Sequence, residues 1–101
     1  MALIDLHIHS THSDGIFTVA ERVRQAKRRG VALLALTDHD TVRGIPEFLR
    51  LARAAKLRAV PGVEISTNYQ GKGLHILGYG IRHRDPALVS FLRAQSEDRI
   101  R

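Results

Sequence analysis

Val31-Ala32-Leu33-Leu34-Ala35-Leu36-Thr37-Asp38-His39-Asp40, VALLALTDHD, runs from unbroken apolar sequence straight into a knot of titratable side chains. A continuous apolar run of strand length is the mark of a parallel strand covered on both faces. The flanking sequence repeats the unit. Upstream, Leu3 to Ile8 alternate enough, and are branched enough, for a short strand; Thr18 opens a helix through a capping box with Glu21, and Gly30 closes it. Downstream, Gly44-Ile45-Pro46 begins a second helix with proline in its first turn. Phe48, Leu49 and Ala52 lie along one side of it, Lys56 ends it, and Leu57 to Val60 give a third strand. This β-α-β-α-β order predicts an α/β fold: a parallel layer, or the opening arc of a βα barrel.

Beyond Pro61-Gly62 the pattern changes. Val63 to Asn68 and Leu74 to Tyr79 flank the turn residues Tyr69-Gln70-Gly71-Lys72-Gly73 and predict a β-hairpin. Asp85-Pro86 caps a last helix, which runs through Leu88, Phe91 and Leu92 to Arg101 without a stop signal. There is no internal repeat, low-complexity tract or linker. Three parallel strands with an open edge and an unfinished helix make residues 1–101 read as the amino-terminal part of one larger domain.

Composition narrows the chemistry. The chain has no cysteine, so a metal site must be built from histidine, carboxylate and water. No apolar window is long enough for a membrane span, and Asp5 and the first histidines follow Met1 too closely for a signal peptide, so a cytoplasmic location is expected. The formal charge of +6 makes anionic partners plausible, although the basic residues of Arg22 to Arg29, Arg50 to Arg58 and Arg93 to Arg101 fit solvated helix faces better. With 5% aromatic residues and no tryptophan, a base-stacking platform is poorly supported.

The same logic locates a site. On a strand, residues two apart share a face, so His7 and His9 in Asp5-Leu6-His7-Ile8-His9-Ser10-Thr11-His12-Ser13-Asp14-Gly15 present two imidazoles at a carboxyl end. Asp14 follows in the first loop, Asp38-His39-Asp40 end the second strand, Glu64 follows the third, and His75 lies on the hairpin's return strand. Each alone has a bland explanation, as turn residue, cap, surface charge or core histidine. Their joint arrival where βα sheets collect active sites does not. His12 and His83 lack such placement and are read as outside the set. Mixed histidine and carboxylate donors suit Mn²⁺, Zn²⁺ or Fe²⁺ better than Ca²⁺, and two or three such ions would activate water against a phosphoester.

Taken together, DLHIHSTHSDG, LTDHDT, PGVEIS and HILGYG resemble the motifs of the polymerase and histidinol phosphatase, or PHP, family over nearly the whole chain. The chain is most similar to its stand-alone phosphoesterases, the group of nucleoside 3',5'-bisphosphate phosphatases and 5'-to-3' exoribonucleases. The resemblance implies a distorted (β/α)7 barrel with a trinuclear centre at the strand carboxyl ends. It implies that His7 and His9 bind a first metal, that Glu64 bridges first and second, that His75 joins the second, and that Asp14 and His39 hold the third. Asp38 and Asp40 then orient His39 and shape the turn. Arg99 lies on a segment that approaches the substrate phosphate in similar enzymes. The implied activity is hydrolysis of phosphate monoesters of nucleotides, or of short oligonucleotides, by a metal-activated hydroxide, with no membrane partner. The alternatives are the exonuclease domain of a DNA polymerase, a histidinol phosphatase, and a metal-binding module without catalysis. Family members draw further ligands from later strands, which these residues do not include, so the chain alone is expected to hold part of a centre.

Overall fold

A computed structural model describes residues 3–100, with the side chains of 68, 69 and 96–100 outside that description. The elements are β1 (Leu3–Ile8), α1 (Val19–Arg29), β2 (Val31–Leu36), α2 (Ile45–Ala54), β3 (Arg58–Tyr69), β4 (Lys72–Tyr79) and α3 (Pro86–Ile100). One sheet in the order β1-β2-β3-β4 carries them. β1, β2 and the first part of β3 are parallel, and β4 returns antiparallel to the rest of β3. The expected βα units followed by a hairpin and a helix are all present.

The helix boundaries follow local chemistry. Thr18 Oγ1 accepts from the Glu21 amide while Glu21 Oε1 accepts from the Thr18 amide, which satisfies two donors that the first turn cannot. Gly30 ends α1 at φ 74°, a left-handed conformation that glycine adopts without a Cβ penalty. Asp85 Oδ1 accepts from Ala87 and Leu88 at the start of α3. Helices α1 and α2 lay Val19, Val23, Ala26, Ile45 and Phe48 against Ile8, Leu34 and Leu36 to form the core. Complete burial of a side chain such as Phe48 or Leu34 contributes about 2 kcal/mol.

Two details depart from expectation. Pro61-Gly62 do not separate a third strand from a hairpin; β3 is continuous, pairing with β2 up to Leu36↔Pro61 and with β4 from Gly62↔Tyr79. Proline, which lacks an amide hydrogen, falls where the strand exchanges partners, and its carbonyl accepts from Gly80. Gly62 is required by proximity, since a Cβ there would come within 2.9 Å of Thr37 Cγ2 and 3.0 Å of the Leu36 carbonyl oxygen. The hairpin loop is also tighter than its turn residues imply: only Gln70 and Gly71 lie outside the strands, at φ 52° and 79°. Positive φ at both positions is the type I′ geometry that matches strand twist.

VALLAL is covered mainly toward its carboxyl end, where Leu34, Ala35 and Leu36 are buried; Ala32 is exposed. β1 is exposed from Leu3 to His7. Among the described residues, no helix is long and apolar enough to cross a membrane.

Candidate metal centre

The parallel ladder carries its last hydrogen bonds into the loops that hold the titratable residues. The Thr37 amide donates to the Ile8 carbonyl, the Glu64 amide to Asp38, and the Asp40 amide to Glu64. His39 and Glu64 thus form a bridge just past the parallel pairing of β2 with β3, fixing His39 beyond the carboxyl end of β2 and Glu64 beside it in the middle of β3. His7 and His9 arrive from β1 and the residue beyond it, and His75 from β4.

These side chains converge on Glu64, which is 3% exposed. His7 Nε2 and His9 Nε2 lie 2.6 and 2.8 Å from Glu64 Oε1, and His75 Nδ1 lies 2.5 Å from Oε2. His39 Nδ1 is 3.6 Å from Oε2. Asp14 makes a second focus, with Oδ1 2.7 Å from His9 Nδ1 and Oδ2 3.0 Å from His39 Nε2. The result is three triplets: His7, His9 and Glu64; His9, Asp14 and His39; His39, Glu64 and His75. Within each, one donor atom per residue lies within 4.8 Å of the others.

His9 and His39 each face a carboxylate with both ring nitrogens, whereas a neutral imidazole has one N–H and a lone pair on the other nitrogen. A lone pair aimed at a carboxylate is repulsive unless positive charge stands between. His39 Nδ1 is also buried without a hydrogen-bond partner, a costly state for a polar atom that nothing engages. Both observations fit divalent metal ions among these nitrogen and oxygen donors.

Burial pushes the Glu64 carboxyl up, but hydrogen bonds from His9 and His7, the charge of His39 and a hydrogen bond from His75 outweigh it, leaving it at about 2. Asp14 is held below its ordinary value in the same way, with desolvation overcome by the charges of His39 and His9. A depressed carboxylate contributes stability that is present above its unfolded value, 4.5 for Glu64, and is lost as the pH falls toward 2. In the metal-free chain, the stability difference between wild type and Glu64→Gln is therefore expected to shrink as pH falls from 4.5 to 2. Urea midpoints across that range measure it, and a constant difference would contradict it.

The loop from His9 to Gly15 is held from several sides. Asp38, 1% exposed, accepts from the Ser10 amide at 2.6 Å and from the Ser10 and Ser13 hydroxyls at 2.7 Å each. Arg22 Nε reaches back from α1 to the His9 carbonyl at 3.0 Å. The Gly15 amide donates to the Ser10 carbonyl, and a Cβ on Gly15 would lie 2.5 Å from the His9 carbonyl oxygen. Gly15→Ala is expected to cost about 2 kcal/mol and to separate Asp14 from His9, read out by urea denaturation and by the His9 ring resonances.

The six residues read as ligands from the sequence are all in the cluster. The Asp38 carboxylate, expected beside His39, accepts from Ser10 and Ser13. Asp40 accepts from the Ser66 amide at 2.9 Å and has φ 52°, in keeping with a turn role. His12 lies against Gly44, whose added Cβ would meet His12 Cδ2 at 2.8 Å; His83 sits on the β4–α3 connection, in a cleft with Pro61 and Ile81. Neither belongs to a triplet. The Arg99 side chain lies outside the described residues. The sequence reading missed Ser10, Ser13 and Tyr79. The serine spacing was visible, but the acceptor stands 25 to 28 residues away.

The pattern of the PHP domain family matches residues 5–97. The chain belongs to the PHP domain family. It is 45% identical, over 99% of its length, to the 3',5'-nucleoside bisphosphate phosphatase of Chromobacterium violaceum. It is 44% identical, over 90% of its length, to a 5'-3' exoribonuclease of Haemophilus influenzae. These matches cover 35% and 33% of the two relatives, so this PHP chain spans about a third of the curated proteins it resembles. A solved structure of an amidohydrolase from Chromobacterium violaceum with bound sulfate superposes with a TM-score of 0.94 at 41% identity, covering 98% of this chain and 35% of that one. The arc of strands described above is thus the PHP fold, and its donor cluster lies within the matched region.

Proposed function

We propose that this PHP chain supplies a divalent-metal centre for the hydrolysis of phosphate monoesters of nucleotides, such as 3',5'-bisphosphonucleotides, or of short oligonucleotides. The carrying observation is the convergence of His7, His9 and His75 on the buried carboxylate of Glu64, with Asp14 and His39 as a second focus beside it. The names of the two relatives, a bisphosphate phosphatase and an exoribonuclease, support the nucleotide substrate class. The activity is proposed for the protein in which these strands stand with the rest of a PHP barrel, and residues 1–101 supply its amino-terminal part.

His7 and His9 would hold one ion, Glu64 and His75 a second with Glu64 shared, and Asp14 and His39 a third, so that ring nitrogens now facing carboxylates would face cations. Mn²⁺, Zn²⁺ and Fe²⁺ all suit these donors. When bound, such ions supply an acidified water and neutralise charge on phosphoryl oxygens. The chain's own contribution is placement: Glu64, ionised down to about pH 2, keeps its charge wherever the imidazoles can bind, and Asp38 locks the loop that carries Asp14. Competition from protons at the centre therefore falls on the histidines.

The test is elemental analysis of the purified chain and of the longest gene product that contains it, with hydrolysis of a 3',5'-bisphosphonucleotide assayed with and without Mn²⁺. Metal in the wild type, phosphate release by the longer product, and loss of both in His9→Ala are expected. Absence of metal from both forms would overturn the reading.

A further inference from the structure

The two histidines at the ends of the cluster are poorly held by packing. The side chains of His7 and His75 are 54% and 57% exposed, against 19% for His9 and 10% for His39. They also come from β1 and β4, which are not neighbours in the sheet. Their meeting on Glu64 therefore depends on how tightly the sheet curls, and ladder hydrogen bonds between adjacent strands leave that curl free to vary.

One bond spans the gap. Tyr79 Oη, at the end of β4, donates to the Leu6 carbonyl of β1 at 2.7 Å. Tyr79 pairs with Gly62, and Leu77 with Glu64, so Tyr79, His75 and Glu64 share the concave face. Gly62 puts no side chain in the way of the ring. Leu6 immediately precedes His7, so the bond ties the backbone at one outer histidine to the strand that bears the other.

We infer that Tyr79 is a positioning residue: its hydroxyl latches β4 to β1 and sets the separation of His7 and His75 across Glu64. The inference deepens the metal-centre reading and rests on it for its bearing on affinity. Two of the three triplets contain His7 or His75, and the latch governs those two. The triplet of His9, Asp14 and His39 stands on the less exposed rings of the cluster and on the Asp38-held loop, and does not depend on it.

The test uses Tyr79→Phe, which keeps the ring and deletes the donor. In the metal-free chain, the imidazole resonances of His7 and His75 are expected to move while those of His9 and His39 stay. In a Co²⁺ titration, affinity should fall about tenfold, the lower end of what loss of a supporting hydrogen bond at a metal site produces, with one binding class unchanged. Val31→Ala, at the far end of β2, serves as the general destabilisation control and should leave Co²⁺ affinity as in the wild type. Unmoved His7 and His75 resonances in Tyr79→Phe would overturn the latch, and so would an equal loss of Co²⁺ affinity in Val31→Ala. If the wild type takes up no Co²⁺, the metal-centre reading fails, while the resonances of the metal-free chain still decide the latch.

Discussion

Glu64→Gln is expected to remove metal from two of the three triplets while leaving the chain folded at neutral pH. Glutamine keeps the size of the side chain but replaces the anion with one carbonyl oxygen and an amide NH₂ that can only donate. The oxygens that face His7, His9 and His75 can then no longer be shared between two cations. A four-ligand zinc site is worth ~10–16 kcal/mol in all, so one ligand accounts for ~3 kcal/mol, or on the order of 100-fold in affinity. If Glu64 bridges two ions, as proposed above, the loss would apply to both.

The measurement is competition of the variant with a chromophoric chelator for Zn²⁺, with circular dichroism to show the fold retained. Asp14 meets His9 and His39 at the ring nitrogens that face away from Glu64, so a residual weak class is expected at His9, Asp14 and His39. Full retention of metal at wild-type affinity would mean that the histidines gather around Glu64 for hydrogen bonding alone. The opposite failure, a variant that unfolds, is distinguished by its dichroism and would assign Glu64 to the core instead of the centre.

How much of this was legible in the sequence depended on whether the deciding interaction was local. The capping box of Thr18 and Glu21, the left-handed Gly30 and the apolar run Val31–Leu36 each act within a few residues, and the elements they define stand where the spacing placed them. The ligand cluster was legible for a topological reason: in parallel βα units every strand ends at the same pole, so residues far apart in sequence are brought together by direction alone. Pro61-Gly62 misled because a strand that changes partner looks, from its own residues, like a strand that stops. The tight Gln70-Gly71 loop was obscured by neighbours, Tyr69 and Lys72, that pair with each other as readily as they turn. Asp38 could not be read because a carboxylate does not announce its donors; Ser10 and Ser13 reach it only after β1 and β2 have been laid side by side.

That last contact carries the second large effect. Asp38→Ala is expected to destabilise the chain by about 3 kcal/mol, since it leaves the Ser10 amide and hydroxyl buried without the charged acceptor they now share. Hydrogen bonds to a charged group are worth roughly 1.5–3 kcal/mol each, and part of the loss at the Ser13 hydroxyl, nearer the surface, is recovered by water. In a domain of this size such a change lowers the melting temperature by on the order of 10–20 °C. Asp38→Asn separates charge from shape: its single carbonyl oxygen can satisfy one donor while its amide NH₂ faces the others, so an intermediate loss is expected. The effect should also reach the centre, because the same loop carries His9 at one end and Asp14 at the other. In Asp38→Asn, below its melting transition, the class of metal held by Asp14 and His39 should weaken more than the one held by Glu64 and His75, which stand on β3 and β4. Equal weakening of the two would show that Asp38 acts on stability alone; unchanged stability in Asp38→Ala would mean that the serine hydroxyls find other acceptors and that the loop is not held from this side.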